Sequence, residues 1–164
     1  MQKPPAFSDI FPLTTETSRL NIFLGDWIVE GNLVYMGRLF KAKGIAKFSL
    51  AAAGWGVLAI AKLEIENLGA YEEVDLLSFN RAENLFHFFA VTNTRAAYDH
   101  KGKWKDDKTL NFFYEATQGE KSYKEELEIK VINENQLAIN EKDLLEEQVI
   151  TPRCCSEEAL KKNE

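Results

Sequence analysis

Apolar and polar residues alternate along most of this chain with a period of two. In 57–66, Val57, Ala59, Ala61, Leu63 and Ile65 share one face, while Lys62, Glu64 and Glu66 share the other. That is the pattern of a strand with one side against a core and one side in water. The alternation is cleanest in 123–131, where Leu127, Ile129 and Val131 oppose Lys124, Glu126, Glu128 and Lys130. In 27–36, Trp27, Val29, Leu33 and Tyr35 alternate with Glu30 and Asn32. The same reading predicts strands near 39–52, 70–79, 84–93, 95–104 and 108–117, and another over 136–140 after the turn signal Asn133-Glu134-Asn135. Lys105-Asp106-Asp107-Lys108 and Gln118-Gly119-Glu120-Lys121 are polar breaks of turn composition, and 81–84 reads as a hairpin connection. One stretch departs from period two. Thr14-Thr15-Glu16 supplies hydroxyl caps and an early acid, and Leu20, Phe23 and Leu24 then recur at helical spacing until Gly25-Asp26.

About eight to ten strands with short connections and one short helix make an all-β domain. No strand–helix–strand rhythm appears, so the sheet is expected to be antiparallel. A long antiparallel meander must protect its edges, and closure into an up-and-down β-barrel does so most directly. A two-sheet sandwich competes, but the even hairpin spacing favours the barrel. The expected organisation is one domain over 1–164, with a proline-bearing arm at 1–13 and a charged tail at 152–164, frayed or weakly helical.

Composition narrows the partners. A net charge of −6 and a pI near 5.1, with no basic stripe, exclude a nucleic-acid phosphate partner as an expectation. No apolar run reaches the length of a membrane span, and 1–13 shows no secretory apolar stretch, so no membrane partner is expected. The cysteines are the adjacent pair Cys154-Cys155, which cannot make a disulfide framework and reads as two reduced thiols in a cytoplasmic protein.

A short helix followed by Gly25-Asp26-Trp27 at the opening of the first long strand resembles the calycin or lipocalin-like group, whose first barrel strand opens on Gly-x-Trp. The later residues Gly69-x-Tyr71, Glu72-Glu73-Val74-Asp75, His87, Thr92-Asn93 and His100-Lys101-Gly102-Lys103-Trp104 look similar to an uncharacterised bacterial lipocalin-like family, the domain-of-unknown-function 1579 type. The resemblance covers most of 20–150. It implies a barrel closed at its base by Trp27 and a small ligand held inside. In lipocalins an arginine from the last strand packs on that tryptophan, and Arg153 is the late candidate. The nitrobindin branch shares the opening, but its haem histidine lies late in the chain. None follows His100 here, so no haem or other cofactor is expected.

The candidate chemistry gathers in 70–104. Leu85, His87, Phe89 and Val91 would share one face of a strand, with Phe86, Phe88 and Ala90 on the other. Both faces are apolar, so the strand is expected to be covered on both sides. If 84–93 and 95–104 pair about a centre between 93 and 94, His87 and His100 become neighbours beside Tyr98 and Phe89; a slip of one residue separates them. Tyr71, Glu73, Asp75, Leu77 and Phe79 would form a mixed lining if they face inward. A solvated outer face is the expected place for Glu73, Asp75 and Glu125. If Glu125 does turn in, Arg95 or a histidine is its partner, because an unpaired buried carboxylate is costly.

The expected ligand site therefore combines His87, His100, Tyr98, Arg95, Tyr71 and Glu125 as polar contacts with an apolar wall of Phe79, Phe113, Tyr114 and Phe86 or Phe89. The expected occupant is a small apolar or amphiphilic molecule of fatty-acid type, and a homodimer is the candidate assembly. Two histidines without closely spaced Cys, Asp or Glu point to no metal. No nucleophile elbow, phosphate-binding glycine loop or His-Glu-x-x-His helix is present. Two other functions stay open. One is an enzyme using His87 with His100 or Glu125 as acid and base, and the other is a filled barrel acting through its outer surface.

Overall fold

The computed structural model describes residues 6–35, 38–118, 121–145, 148–151 and 160–162. Two short helices, α1 (Phe7–Ile10) and α2 (Thr15–Arg19), precede a 3-10 turn at Leu20–Phe23. Nine strands follow: β1 (Gly25–Tyr35), β2 (Arg38–Ala51), β3 (Gly56–Ile65), β4 (Gly69–Asn80), β5 (Leu85–Thr92), β6 (Ala97–Trp104), β7 (Thr109–Gln118), β8 (Lys121–Asn133) and β9 (Gln136–Leu145). Each pairs antiparallel with the next, so the nine form an up-and-down sheet curled into a half-barrel. Short β10 (Gln148–Thr151) pairs with the end of β9. The three residues of β11 (Leu160–Lys162) lie between β9 and β1, pairing Leu160 with Leu137 and Lys162 with Trp27. This part of the tail is a strand, where the sequence suggests fraying or weak helix: its backbone completes the open edge of β1. Cys154-Cys155 and Arg153 fall outside the described residues.

The base is built from the N-terminal segment upward. The Thr14 hydroxyl accepts from the Thr17 N–H at 3.1 Å, capping α2. Leu20 and Phe23 are then delivered to the interior, each 1 % exposed. Gly25 turns the chain into β1 with φ at 136°, a backbone conformation that side chains resist, which gives the Gly-x-Trp opening a local reason. Trp27 is buried, and its indole N–H donates to the Phe23 carbonyl at 2.8 Å. Phe23 stacks on Trp104, and the Arg19 guanidinium lies 4.0 Å from the Trp104 ring centre. Among the described residues, then, the arginine laid on a base tryptophan comes from the helix side.

Inward positions follow from the strand register. Trp27 pairs with Ala46, Ala46 with Ala61, Ala61 with Glu73, and Glu73 with Thr92. The alternation continues through β9. At the base the inward set includes Val57, Leu77, Phe86, Phe112, Leu110, Ile129, Val131 and Leu137, which form one buried cluster with Leu20, Phe23 and Trp27. Gly102 belongs to the same wall. A Cβ there would stand 2.1 Å from the Asn111 carbonyl oxygen, so β6 and β7 approach as they do only because that position has no side chain.

The outer face of β5 differs from expectation. Phe89 and Val91 are exposed beside their partners Leu76 and Val74 on β4, with Ile60 next on β3. The strand is apolar on both sides yet covered on one.

Candidate functional site

The end of the half-barrel away from the helices carries a different inner face. Strand alternation brings Tyr71, Glu73 and Asp75 of β4, Tyr98 and His100 of β6, Tyr114 of β7, Tyr123 and Glu125 of β8, and Glu141 and Asp143 of β9 to one side of the sheet. Asp75, His100, Glu125 and Asp143 are all at least nine-tenths buried.

The centre is a hydrogen-bonded chain. His100 Nε2 and Glu125 Oε1 lie 2.7 Å apart, with both side chains almost fully buried. With Glu125 ionised, Nε2 carries the hydrogen and donates. His100 Nδ1 is buried without a hydrogen-bond partner among the described residues. The Tyr123 phenol stands between two carboxylates, 3.1 Å from Glu125 Oε2 and 2.9 Å from Asp143 Oδ1. Burial first, then the Glu125 and Asp143 charges, push that phenol's pKa well up, so it stays a donor. The Tyr71 phenol donates to Glu73 Oε2 at 2.7 Å. Tyr98, His100 and Tyr114 pack their rings together at 5.2–5.7 Å, and Tyr123 joins Tyr114 at 6.4 Å.

Asp75 is strongly perturbed. Its carboxyl is pushed up to about 10, first by burial, then by the charge and hydrogen bond of Glu73 and the charge of Glu141. Its Oδ1 is buried with no hydrogen-bond partner among the described residues. Carboxylate oxygens of Glu125, Glu141 and Asp143 all lie within 4.8 Å of one another, a spacing that suits a cation.

Of the residues singled out from sequence, Tyr71, Tyr98, His100 and Glu125 meet at this end. Phe79 faces inward too, but packs on Phe86 at the apolar base. His87, Phe89 and Phe113 stand on the outer face. Arg95 is exposed in the β5–β6 connection with φ at 68°. The reason His87 leaves the site is register. Thr92 N–H bonds to the Ala96 carbonyl, and Phe88, not His87, pairs with His100. That is the one-residue slip, and it turns His87 to the opposite face. There His87 Nδ1 meets Asp99 at 3.0 Å, and Glu83 lies 3.3 Å from Nε2. Glu73, Asp75 and Glu125 also reverse their expected outward placement, and Glu125 takes a histidine as its partner.

Sequence reading missed Glu141 and Asp143, and treated Tyr114 as apolar lining. A signal was available: Leu137, Ile139, Glu141 and Asp143 keep strict alternation, so an apolar face runs directly into two acids.

No protein-family model matches the chain, and no curated protein matches it. The fold therefore stands by itself: an antiparallel up-and-down β half-barrel consistent with the calycin or lipocalin-like class. Among the described residues no helix is long and apolar enough to cross a membrane.

Proposed function

We propose that this chain is a small-molecule-binding protein, cytoplasmic and akin to the uncharacterised bacterial lipocalin-like group, that holds an amphiphilic ligand on the inner face of its half-barrel. One observation carries the reading: the inner face is divided. The wall made by β2 and β3 is apolar and largely small, with Ala42 paired to Ile65, Gly44 to Leu63 and Ala46 to Ala61. The wall made by β4 and β6–β9 offers Tyr71, Tyr98, His100 and Glu125. Small apolar residues opposite convergent polar groups are the usual arrangement of a ligand site. The acidic character changes the expected head group. A free fatty-acid carboxylate would meet like charges, so a donor-rich or cationic head fits better.

Native mass spectrometry of protein purified without added ligand tests this, followed by extraction of whatever leaves. A near-stoichiometric amphiphile supports the reading. A clean apo mass, together with no saturable uptake of neutral, cationic or anionic amphiphilic probes, sinks it. The same spectra report whether two copies associate through the exposed Ile60, Val74, Leu76, Phe89 and Val91, as the homodimer reading requires.

The buried His100–Glu125 pair, with His100 Nδ1 lacking a partner among the described residues, favours a second reading: proton transfer on a bound substrate. His100→Gln separates the two readings. It abolishes turnover in the second and only weakens binding in the first.

A further inference from the structure

We propose that an apolar groove at the base, outside the buried core, holds an anion-headed amphiphile, with its carboxylate on Arg81 and its aliphatic tail against the N-terminal segment. The groove has a volume of about 630 Å³. The N-terminal segment lines it with Phe7, Ser8, Phe11 and Leu13, the β2–β3 connection with Ala52, Ala53 and Trp55, and the β4–β5 connection with Arg81. None of these residues belongs to the cluster that fills the base.

Local structure explains why this concavity stays open. α1 buries none of its residues, and Phe7, Phe11 and Leu13 are 82 %, 52 % and 48 % exposed. Large apolar side chains gathered in water around a concave surface mark a binding site. The opposite wall is fixed by its turn. The Trp55 N–H donates to the Ala52 carbonyl at 3.2 Å, and Leu13 lies against Gly54, where a Cβ would stand 3.3 Å from Leu13 Cδ1. Ala52 and Ala53 hold φ at 48° and 55°, the left-handed region that alanine resists. Backbone strain of this kind collects at ligand clamps.

Charge selects the occupant. Arg81 is exposed and makes no ion pair or hydrogen bond among the described residues. The acid nearest to it along the chain, Glu83, is already held by Lys101 and Asn80, each at 2.7 Å. Asp9 of α1 accepts from the Ala6 N–H at 3.0 Å. A guanidinium without a partner, beside walls that are otherwise apolar apart from the Ser8 hydroxyl, matches a carboxylate by charge and by its forked geometry. The volume falls within the roughly 300–1,000 Å³ of small-molecule sites, so the occupant is a single amphiphile. The preference is opposite to that of the inner face, whose acids disfavour an anionic head, and the two sites are independent.

The test is titration of delipidated full-length protein with dodecanoate and, separately, with dodecyltrimethylammonium, each below its micelle concentration, read by calorimetry and tryptophan emission. One dodecanoate per chain should bind saturably and change the emission. Trp55→Phe should remove that emission change while calorimetric binding persists. Arg81→Gln and Phe11→Ala should each weaken dodecanoate binding by about tenfold. Both side chains are exposed, so the fold should persist, as circular dichroism will show. Arg95→Gln makes the same charge change in the β5–β6 connection at the far end and should bind as the parent does. The Arg81→Gln loss should appear for dodecanoate and not for dodecyltrimethylammonium. No saturable uptake of dodecanoate overturns the proposal. So does binding that survives Arg81→Gln or falls equally in Arg95→Gln. A dimer that dissociates in Phe11→Ala and takes up no dodecanoate gives the groove to a second copy of the chain and overturns it too.

Discussion

The two ends of the half-barrel share strands, register and curvature, yet are held together in opposite ways. At the base, Leu20, Phe23, Trp27, Leu110 and Leu137 are almost fully buried, and burial itself is the favourable term. At the other end Asp75, His100, Glu125 and Asp143 are buried just as deeply, and burial is the unfavourable term, offset through hydrogen bonds from Tyr123 and His100. The same strands run through both. β8 changes from Glu125 to Leu127 and β9 from Ile139 to Glu141 within one alternation. Stability concentrated at one end leaves the other able to carry costly groups, which is where a site is affordable in energetic terms.

The comparison breaks most visibly at Trp27. Trp27→Ala should cost about 3–5 kcal/mol in urea unfolding, because it removes the indole and opens a cavity beneath the helix segment. If the base is a structural plug alone, the surviving folded fraction keeps the ligand affinity of the parent. Next in size is His100→Ala. It leaves Glu125 buried without its histidine, and about 3 kcal/mol of destabilisation is expected by equilibrium denaturation, with Glu125→Gln losing clearly less.

The pH dependence sharpens the contrast further. The folded chain keeps the Asp75 proton up to about pH 10, while an ordinary aspartate releases it near 3.8. Between those values the folded state binds more protons than the unfolded state, so this group lowers stability as pH rises through the window. In the absence of divalent ions, Asp75→Asn should melt above the parent at pH 8, with the gap closing as pH falls toward 4. Parallel melting curves across that range would show that Glu73 and Glu141 do not act on Asp75 as described. The smallest effect is expected at His87. It sits on the outer face among Glu83 and Asp99, so His87→Ala should cost under about 1 kcal/mol and leave ligand affinity unchanged.

The strands were legible wherever one face was plainly apolar. β3 and β8 carry that pattern without interruption, and the Thr14 cap and the Gly25-Asp26-Trp27 opening marked the turn from helix to sheet. The acidic end was legible only in part. An alternation such as Tyr71, Glu73, Asp75, Leu77 states that these residues share a side, but a carboxylate in the pattern reads as a solvent face, and that is the wrong side here. β5 hid its orientation for the opposite reason: Phe86, Phe88 and Ala90 are no more apolar as a set than Leu85, Phe89 and Val91.

Local pattern, then, determined the all-β class, the order and approximate extent of the strands and the helix at the start. These follow from periodicity and from what each backbone position tolerates. Tertiary structure alone decided which histidine belongs to the interior. The turn at Thr92–Ala96 sets the β5–β6 pairing, a single residue of register exchanges the two faces, and no local preference of His87 or His100 opposes either outcome. It alone also gathered Glu125, Glu141 and Asp143 beside Tyr123, because residues distant along the chain meet only once β8 and β9 are paired with Glu125 opposite Asp143.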